Sequence, residues 1–276
     1  MKTGWERENR HHFDDIVEKY DKIRPGFPAG LYDDIFNYAG AGRGKAALEI
    51  GAGTGKATTP VLKAGYAVTA VEPGANMAKF LREKFKDYKD FSVVEADFED
   101  FAPNGDSFDL IYAATAFHWV DAEIGCPKAF DLLRQGGVFA LFRYNQIAAE
   151  GDALFEEVQE SYKKYFLKPY KRPIRKSKAD FATPTEIKHG FGFEDMAKYG
   201  FKDMAMKFYD VRRTMTADEY IALLDTNSDQ RSLPPTDRAA LSDGIHRAIS
   251  RHGGQIEIDY IYQLYMGRKP GKGSRK

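Results

Sequence analysis

Three glycines at alternate positions, Gly51, Gly53 and Gly55, give this sequence its clearest chemical signal. They lie in "ALEIGAGTGKATTPVLKAGYAVTAVEPG", between an apolar run that ends at Ile50 and a run with helical character. Glycines in such a turn accept positive φ and let a ligand lie directly on the backbone. The exposed amides and the N-terminus of the next helix favour a negatively charged group. Glu72 closes the following apolar run, where a carboxylate can accept hydrogen bonds from both hydroxyls of a ribose. Strand, glycine turn, helix, strand and terminal acid together point to a nucleotide-like cofactor.

Spacing separates the candidate cofactors. A triphosphate loop requires G-x-x-x-x-G-K-[ST], but here Lys56 is followed by Ala57 and the glycines are too close. A dinucleotide turn prefers G-x-G-x-x-G, and the third glycine comes one residue early. The Tyr-x-x-x-Lys pair of short-chain dehydrogenases is matched only by Tyr265 and Lys269, in the expected last strand, as a chance spacing. An NAD(P)-dependent oxidoreductase is therefore the alternative rather than the first reading.

The elements that must position this turn follow from periodicity. Phe13, Ile16, Val17 and Tyr20 recur at helical spacing, and "RPGFP" ends that helix. A second helix is expected from Ala29 to about Tyr38. Strands are then read in "AALEI", "YAVTAVE", "FSVVEAD", "FDLIYAATAF" and "GGVFALFRY". Helices are read from Thr54 to Lys63, Asn76 to Phe85 and Pro127 to Leu133. This alternation implies a parallel sheet covered on both faces. Further on, Asp152 to Phe166, Ala217 to Leu224 and Pro235 to Arg251 read as helices, and "TPTEIKHGF" as a short one. "GFKDMAMKFYDVRRTMT" and "QIEIDYIYQLYMGRK" read as two more strands of the same sheet. One domain is expected, with a core at about 44–147 and 199–269, an N-terminal lid at 8–38 and an inserted cap at 148–198.

The chain has 276 residues, 43% of them hydrophobic, enough for a sizeable core. Lys+Arg and Asp+Glu both number 41, so net charge favours neither nucleic acid nor an anionic membrane. A single cysteine, Cys126, excludes an intramolecular disulfide and suits a reducing compartment. No apolar h-region opens the sequence and no apolar run reaches a membrane span. These features set the expectation of a soluble, cytoplasmic protein, monomer or homodimer. The end, "RKPGKGSRK", reads as a disordered basic tail.

At this point the sequence resembles the class I S-adenosylmethionine-dependent methyltransferases. The resemblance rests on "LEIGAGTGKAT", "VTAVEPGANMAKFLREK", "VEADFEDF", "FDLIYAATAFHWVD" and "LLRQGGVFAL", in order between about Ala46 and Tyr144. The ends, "YDKIRPGFP" and "TNSDQRSLP", are similar to a subgroup of small-molecule enzymes, the methyltransferase type 11 and trans-aconitate methyltransferase relatives. The resemblance implies a Rossmann-like α/β fold: a seven-stranded, mostly parallel sheet with its last strand antiparallel, helices on both faces and a helical cap. It implies S-adenosyl-L-methionine as cofactor and S-adenosyl-L-homocysteine as product. Gly51, Ala52, Gly53, Thr54 and Gly55 would back the methionine part, and Glu72, with Pro73 and Met77 nearby, the ribose. Asp97 would accept from the adenine amino group, Phe98 would lie beside the ring, and Thr115 would face the sulfonium. A small-molecule acceptor methylated on oxygen, with a carboxylate as the candidate group, is the substrate the subgroup resemblance implies.

Several residues carry two readings. His118 and Trp119 follow the fourth strand, where ligands of α/β sheets sit. His118 is read as a substrate or cofactor contact and as a candidate general base. Tyr144 joins them as a candidate substrate contact. Tyr20 and Arg24 are either part of a lid over the site or a helix end packed on the sheet. The basic stretch Lys163 to Lys178 is either a solvated cap surface or a surface that attracts an acidic substrate or RNA. "AATAFHW" lacks the [DNS]-P-P-[YFW] pattern of many nucleic-acid amine methyltransferases. His11 and His12 are adjacent and share no helix face, so no metal site is assigned.

Overall fold

A computed structural model describes residues 13–40, 42–103, 105, 107–147, 149, 151–166 and 195–271. The short helix read in "TPTEIKHGF", most of the basic stretch (Lys168, Lys171, Arg172, Arg175, Lys176 and Lys178), His11, His12 and residues 272–276 lie outside them. In chain order the elements are α1 (Val17–Ile23), α2 (Ala29–Ala39), β1 (Ala46–Ile50), α3 (Thr58–Lys63), β2 (Ala67–Glu72), α4 (Ala75–Lys84), β3 (Phe91–Glu95) and β4 (Phe108–Ala114). Then come α5 (Ala122–Leu132), β5 (Leu133–Gln146), α6 (Ala153–Tyr165), α7 (Asp195–Lys198), β6 (Lys202–Thr216), α8 (Ala217–Leu224), α9 (Ser228–Arg231), α10 (Pro235–Arg251) and β7 (Gln255–Arg268).

The strands form one seven-stranded sheet in the order β3-β2-β1-β4-β5-β7-β6. The first five are parallel neighbours, with Ile50 opposite Val71 and Glu49 opposite Tyr112. β7 runs against β5. The Gly136 amide donates to Lys269 O at 2.9 Å, the Lys269 amide to Gly137 O at 2.8 Å, and the Ile147 amide to Asp259 O at 2.8 Å. The two C-terminal strands thus join the sheet as the sequence predicts, and β7 enters antiparallel between β5 and β6.

Three helices start elsewhere than the sequence suggests, the first being α1, which begins at Val17 with Phe13 and Ile16 before it. α3 begins at Thr58 rather than Thr54, because positive φ at Gly51, Gly53 and Gly55 keeps the preceding residues in a turn. α5 begins at Ala122, capped by Asp121 Oδ1, which accepts from the Glu123 amide at 3.0 Å. Pro127 sits inside α5 and forfeits a bond to the Glu123 carbonyl, which is why it reads as a start rather than an interior residue. α8 and α10 match their expected bounds, and α8 opens on a capping box formed by Thr216 and Glu219.

The described residues fall into two compact units. One, of residues 26–144, 195–209 and 262–271, holds β1 to β4, α2 to α5 and most of β5. One face of its sheet is packed by Leu48, Ile50, Ile111, Phe139 and Leu141, against Phe117, Cys126 and Phe201. The opposite face carries Tyr112, Phe142 and the α2 residue Tyr32. The other unit, of residues 13–25, 145–166 and 210–261, is mostly helical. There α10 lies so close to α6 that a Cβ on Gly244 would meet Ser161 Oγ at 2.4 Å. Glu157 of α6 pairs with His252 at 2.9 Å and with Arg251. Among the described residues no helix is long and apolar enough to cross a membrane.

Candidate functional site

β1 delivers the chain into the glycine turn, and the Gly51 amide donates to Val71 O at 2.8 Å, which ties the turn to β2. Gly51, Gly53 and Gly55 have φ of 65°, 56° and 77°. A Cβ on Gly51 would stand 2.6 Å from Ala116 Cβ, and one on Gly55 2.4 Å from Phe85 Cε2. These two glycines are therefore required by close approach as well as by conformation. Glu72, at the end of β2, is only 7% exposed. Its Oε2 accepts from the Gly53 amide at 2.8 Å and its Oε1 from the Gly74 amide at 2.9 Å. The carboxylate is a brace for the turn, a role its expected ribose contact does not include.

A second acid lies beneath the turn. Glu49 is 1% exposed, and its Oε2 accepts from Thr58 Oγ1 at 2.5 Å and from Tyr112 OH at 2.9 Å. Burial pushes its carboxyl up to about 7, although the two hydroxyls pull it back. Burial and the neighbouring Glu49 also hold the Tyr112 phenol well above its ordinary value. These bonds join β1, β4 and the first residue of α3. The one available sequence signal was an acid inside an otherwise apolar strand.

Thr115 follows β4 with φ +54, a left-handed conformation that is costly for a β-branched residue. Its amide donates to Phe142 O at 2.7 Å. Its buried Oγ1 has no hydrogen-bond partner among the described residues, and the same holds for Thr54 Oγ1 in the glycine turn. Phe117–Trp119 form a single 3₁₀ turn, with the His118 and Trp119 rings 4.9 Å apart. Thr115, Ala116, His118, Arg143 and Tyr265 line a cleft at this end of the sheet. Arg143 was not expected from the sequence. Its Nε donates to the buried Gln263 Oε1 at 2.9 Å.

The remaining expected residues have definite places. Ala52 is buried and Pro73 partly buried beside Glu72, while Met77 is buried on α4. The Asp97 carbonyl accepts from the Asp100 and Phe101 amides, both at 3.0 Å, and so closes a turn after β3. Phe98 is buried in the core, with Lys128 Nζ 5.5 Å from its ring centre. Tyr144 packs 5.3 Å from the Tyr262 ring. Tyr20 and Arg24 belong to the helical unit. There the Arg24 guanidinium lies 5.1 Å over the Tyr20 ring and donates to Asn227 Oδ1 at 2.8 Å and to Thr226 O. The structure thus gathers the glycine turn, Thr54 and Glu72 at one sheet end, where Ala116 joins the turn to Thr115 and His118. Among the described residues no group of three or more His, Cys, Asp or Glu is arranged to hold a metal.

This arrangement suits S-adenosylmethionine. Among the described residues two buried threonine hydroxyls lack hydrogen-bond partners, and Glu72 braces a glycine turn of positive φ. The comparisons with known proteins agree. Residues 48–141 match a methyltransferase domain family. An uncharacterized methyltransferase of Mycobacterium tuberculosis is 31% identical over 129 residues, 47% of this chain and 50% of the relative. The chain thus spans about half the length of the curated relatives it matches. A candidate type II methyltransferase structure from Anaeromyxobacter dehalogenans aligns with TM-score 0.59 at 19% identity, over 90% of this chain and 99% of that one. A phosphoethanolamine N-methyltransferase of Haemonchus contortus, bound to phosphomonomethylethanolamine and S-adenosylhomocysteine, aligns with TM-score 0.53 at 16% identity, over 98% of this chain and 61% of that one. Residues 48–141 are thus a methyltransferase domain, and the fold around them is one shared with solved methyltransferase structures.

Proposed function

We propose that the protein transfers a methyl group from S-adenosylmethionine to an oxygen of a small-molecule acceptor. The observation that carries this reading is the glycine turn braced by Glu72, with Thr54 and Thr115 hydroxyls that have no hydrogen-bond partner among the described residues. Bound there, the cofactor supplies an electrophilic methyl carbon on a sulfonium. Gly51 to Gly55 and Thr54 hold its amino-acid part, and Glu72 accepts from its ribose. Asp97 and Phe98 would form the adenine side, and Thr115 would face the sulfonium. The acceptor oxygen would take the methyl carbon in line with the departing sulfur, and S-adenosylhomocysteine would be the leaving group. Alignment of the three atoms supplies much of the rate. For a hydroxyl acceptor, His118 stands at the cleft wall as the group to take the proton. A carboxylate acceptor, already ionised, needs no base.

The balanced charge of 41 basic and 41 acidic residues supports a small molecule over RNA. Incubation with a radiolabelled methyl donor, a small-metabolite fraction and total RNA tests the choice. Label is expected in the low-molecular-weight fraction, lost on base hydrolysis if the product is an ester. Label retained by RNA would overturn the small-molecule reading.

A further inference from the structure

The guanidinium of Arg143 is the least explained charge in the cleft. Arg143 stands on β5, on the same side of the strand as Leu141, and lines the cleft with Thr115, His118 and Tyr265. Its Nε is committed to Gln263 Oε1 at 2.9 Å, and Gln263 is fully buried. That bond fixes the plane of the guanidinium and leaves the two Nη groups as a fork. Among the described residues, no carboxylate pairs with Arg143 and its Nη groups make no hydrogen bond. Burial holds its pKa below the usual arginine value, and the Tyr265 phenol is the neighbour that opposes the shift.

Arg143 is partly buried, and a cation partly withdrawn from water without a counter-charge carries a desolvation cost. Such a residue persists where a ligand supplies the missing anion. A planar fork with fixed orientation matches two oxygens of a carboxylate or phosphate better than it matches a neutral group. We infer that Arg143 binds an anionic group of the methyl acceptor and sets the enzyme's specificity for acidic substrates. The inference rests on the methyltransferase reading and adds the substrate class. The anchored group is not the reacting one, because charge-assisted bonds to the guanidinium hold the oxygen lone pairs that would attack. The acceptor carries an anionic anchor and a separate nucleophilic oxygen.

Thermal unfolding of the full chain tests this, with and without saturating S-adenosylhomocysteine, in succinate, acetate or phosphate against chloride at equal ionic strength. Succinamide serves as the neutral control. Succinate or acetate is expected to raise the unfolding temperature of the parent, with succinamide silent. The apparent anion affinity should be at least about tenfold weaker in Arg143→Gln and partly restored in Arg143→Lys. A response to phosphate above that to the carboxylates assigns the anchor to a phosphoryl group. Loss of S-adenosylhomocysteine affinity in Arg143→Gln would place the guanidinium on the cofactor and overturn the inference. So would the absence of any anion-specific shift in the parent, or an equal shift in Arg143→Gln. Failure of the parent to bind S-adenosylhomocysteine would instead strike the methyltransferase reading, while the cofactor-free anion series still reports on Arg143.

Discussion

Glu72 Oε2 and the amide nitrogen of Gly53 are 2.8 Å apart, and this bond links the end of β2 to the middle of the glycine turn. With the Gly74 amide on Oε1 at 2.9 Å, the carboxylate spans both loops at this end of the sheet. Glu72 therefore braces the glycine turn in the absence of any ligand.

Glu72→Ala is expected to lower both stability and cofactor affinity. It leaves two backbone amides without their acceptor, at about 1–3 kcal/mol for each buried unsatisfied group. Urea unfolding without ligand reads the first effect, and calorimetry with S-adenosylhomocysteine the second. An unfolding free energy equal to the parent's would show that Glu72 does not brace the turn.

Glu49 gives a pH dependence of definite sign. Its folded pKa, about 7, lies above the ordinary carboxylate value of 4.5. Between these values the folded protein holds a proton that the unfolded chain has released. Its stabilisation is full below the ordinary range and falls away as pH rises toward 7. Glu72 raises this pKa, while Lys84 and the hydroxyls of Thr58 and Tyr112 lower it. The parent should lose a few kcal/mol relative to Glu49→Gln between about pH 5 and pH 7.5. Urea titrations across that range check this, and a difference that does not change with pH contradicts it.

Thr115 tests for stored strain. Glycine adopts φ +54 without the Cβ clash, so Thr115→Gly should unfold at or above the parent's temperature despite its greater unfolded-state entropy. Cofactor affinity should nevertheless fall, since the variant loses a buried hydroxyl that has no hydrogen-bond partner among the described residues. A drop of more than about 3 °C in unfolding temperature would show that the threonine is relaxed where it stands.

The scaffold of this site was legible because it depends on local patterns. The β1–turn–α3–β2 unit follows from apolar runs, three glycines and a terminal acid, and the two C-terminal strands follow from alternation. What escaped were the charges placed by tertiary packing. Glu49 alternates innocently within "AALEI", and only its burial against Thr58 and Tyr112 changes its chemistry. Arg143 looks like any polar residue near a strand end until Gln263, far along the chain, fixes it. Helix starts escaped for a related reason: the start of α5 is set by the Asp121 cap, whereas the conspicuous Pro127 lies inside it.

The central claim is that the turn at Gly51 to Gly55, with Glu72, is built for S-adenosylmethionine. Calorimetric titration of the full chain with S-adenosylhomocysteine, in parallel with NAD, measures this most directly. The account predicts saturable one-to-one binding of S-adenosylhomocysteine, weakened at least about tenfold in Glu72→Ala, and no binding of NAD. Binding of NAD without binding of S-adenosylhomocysteine would contradict it.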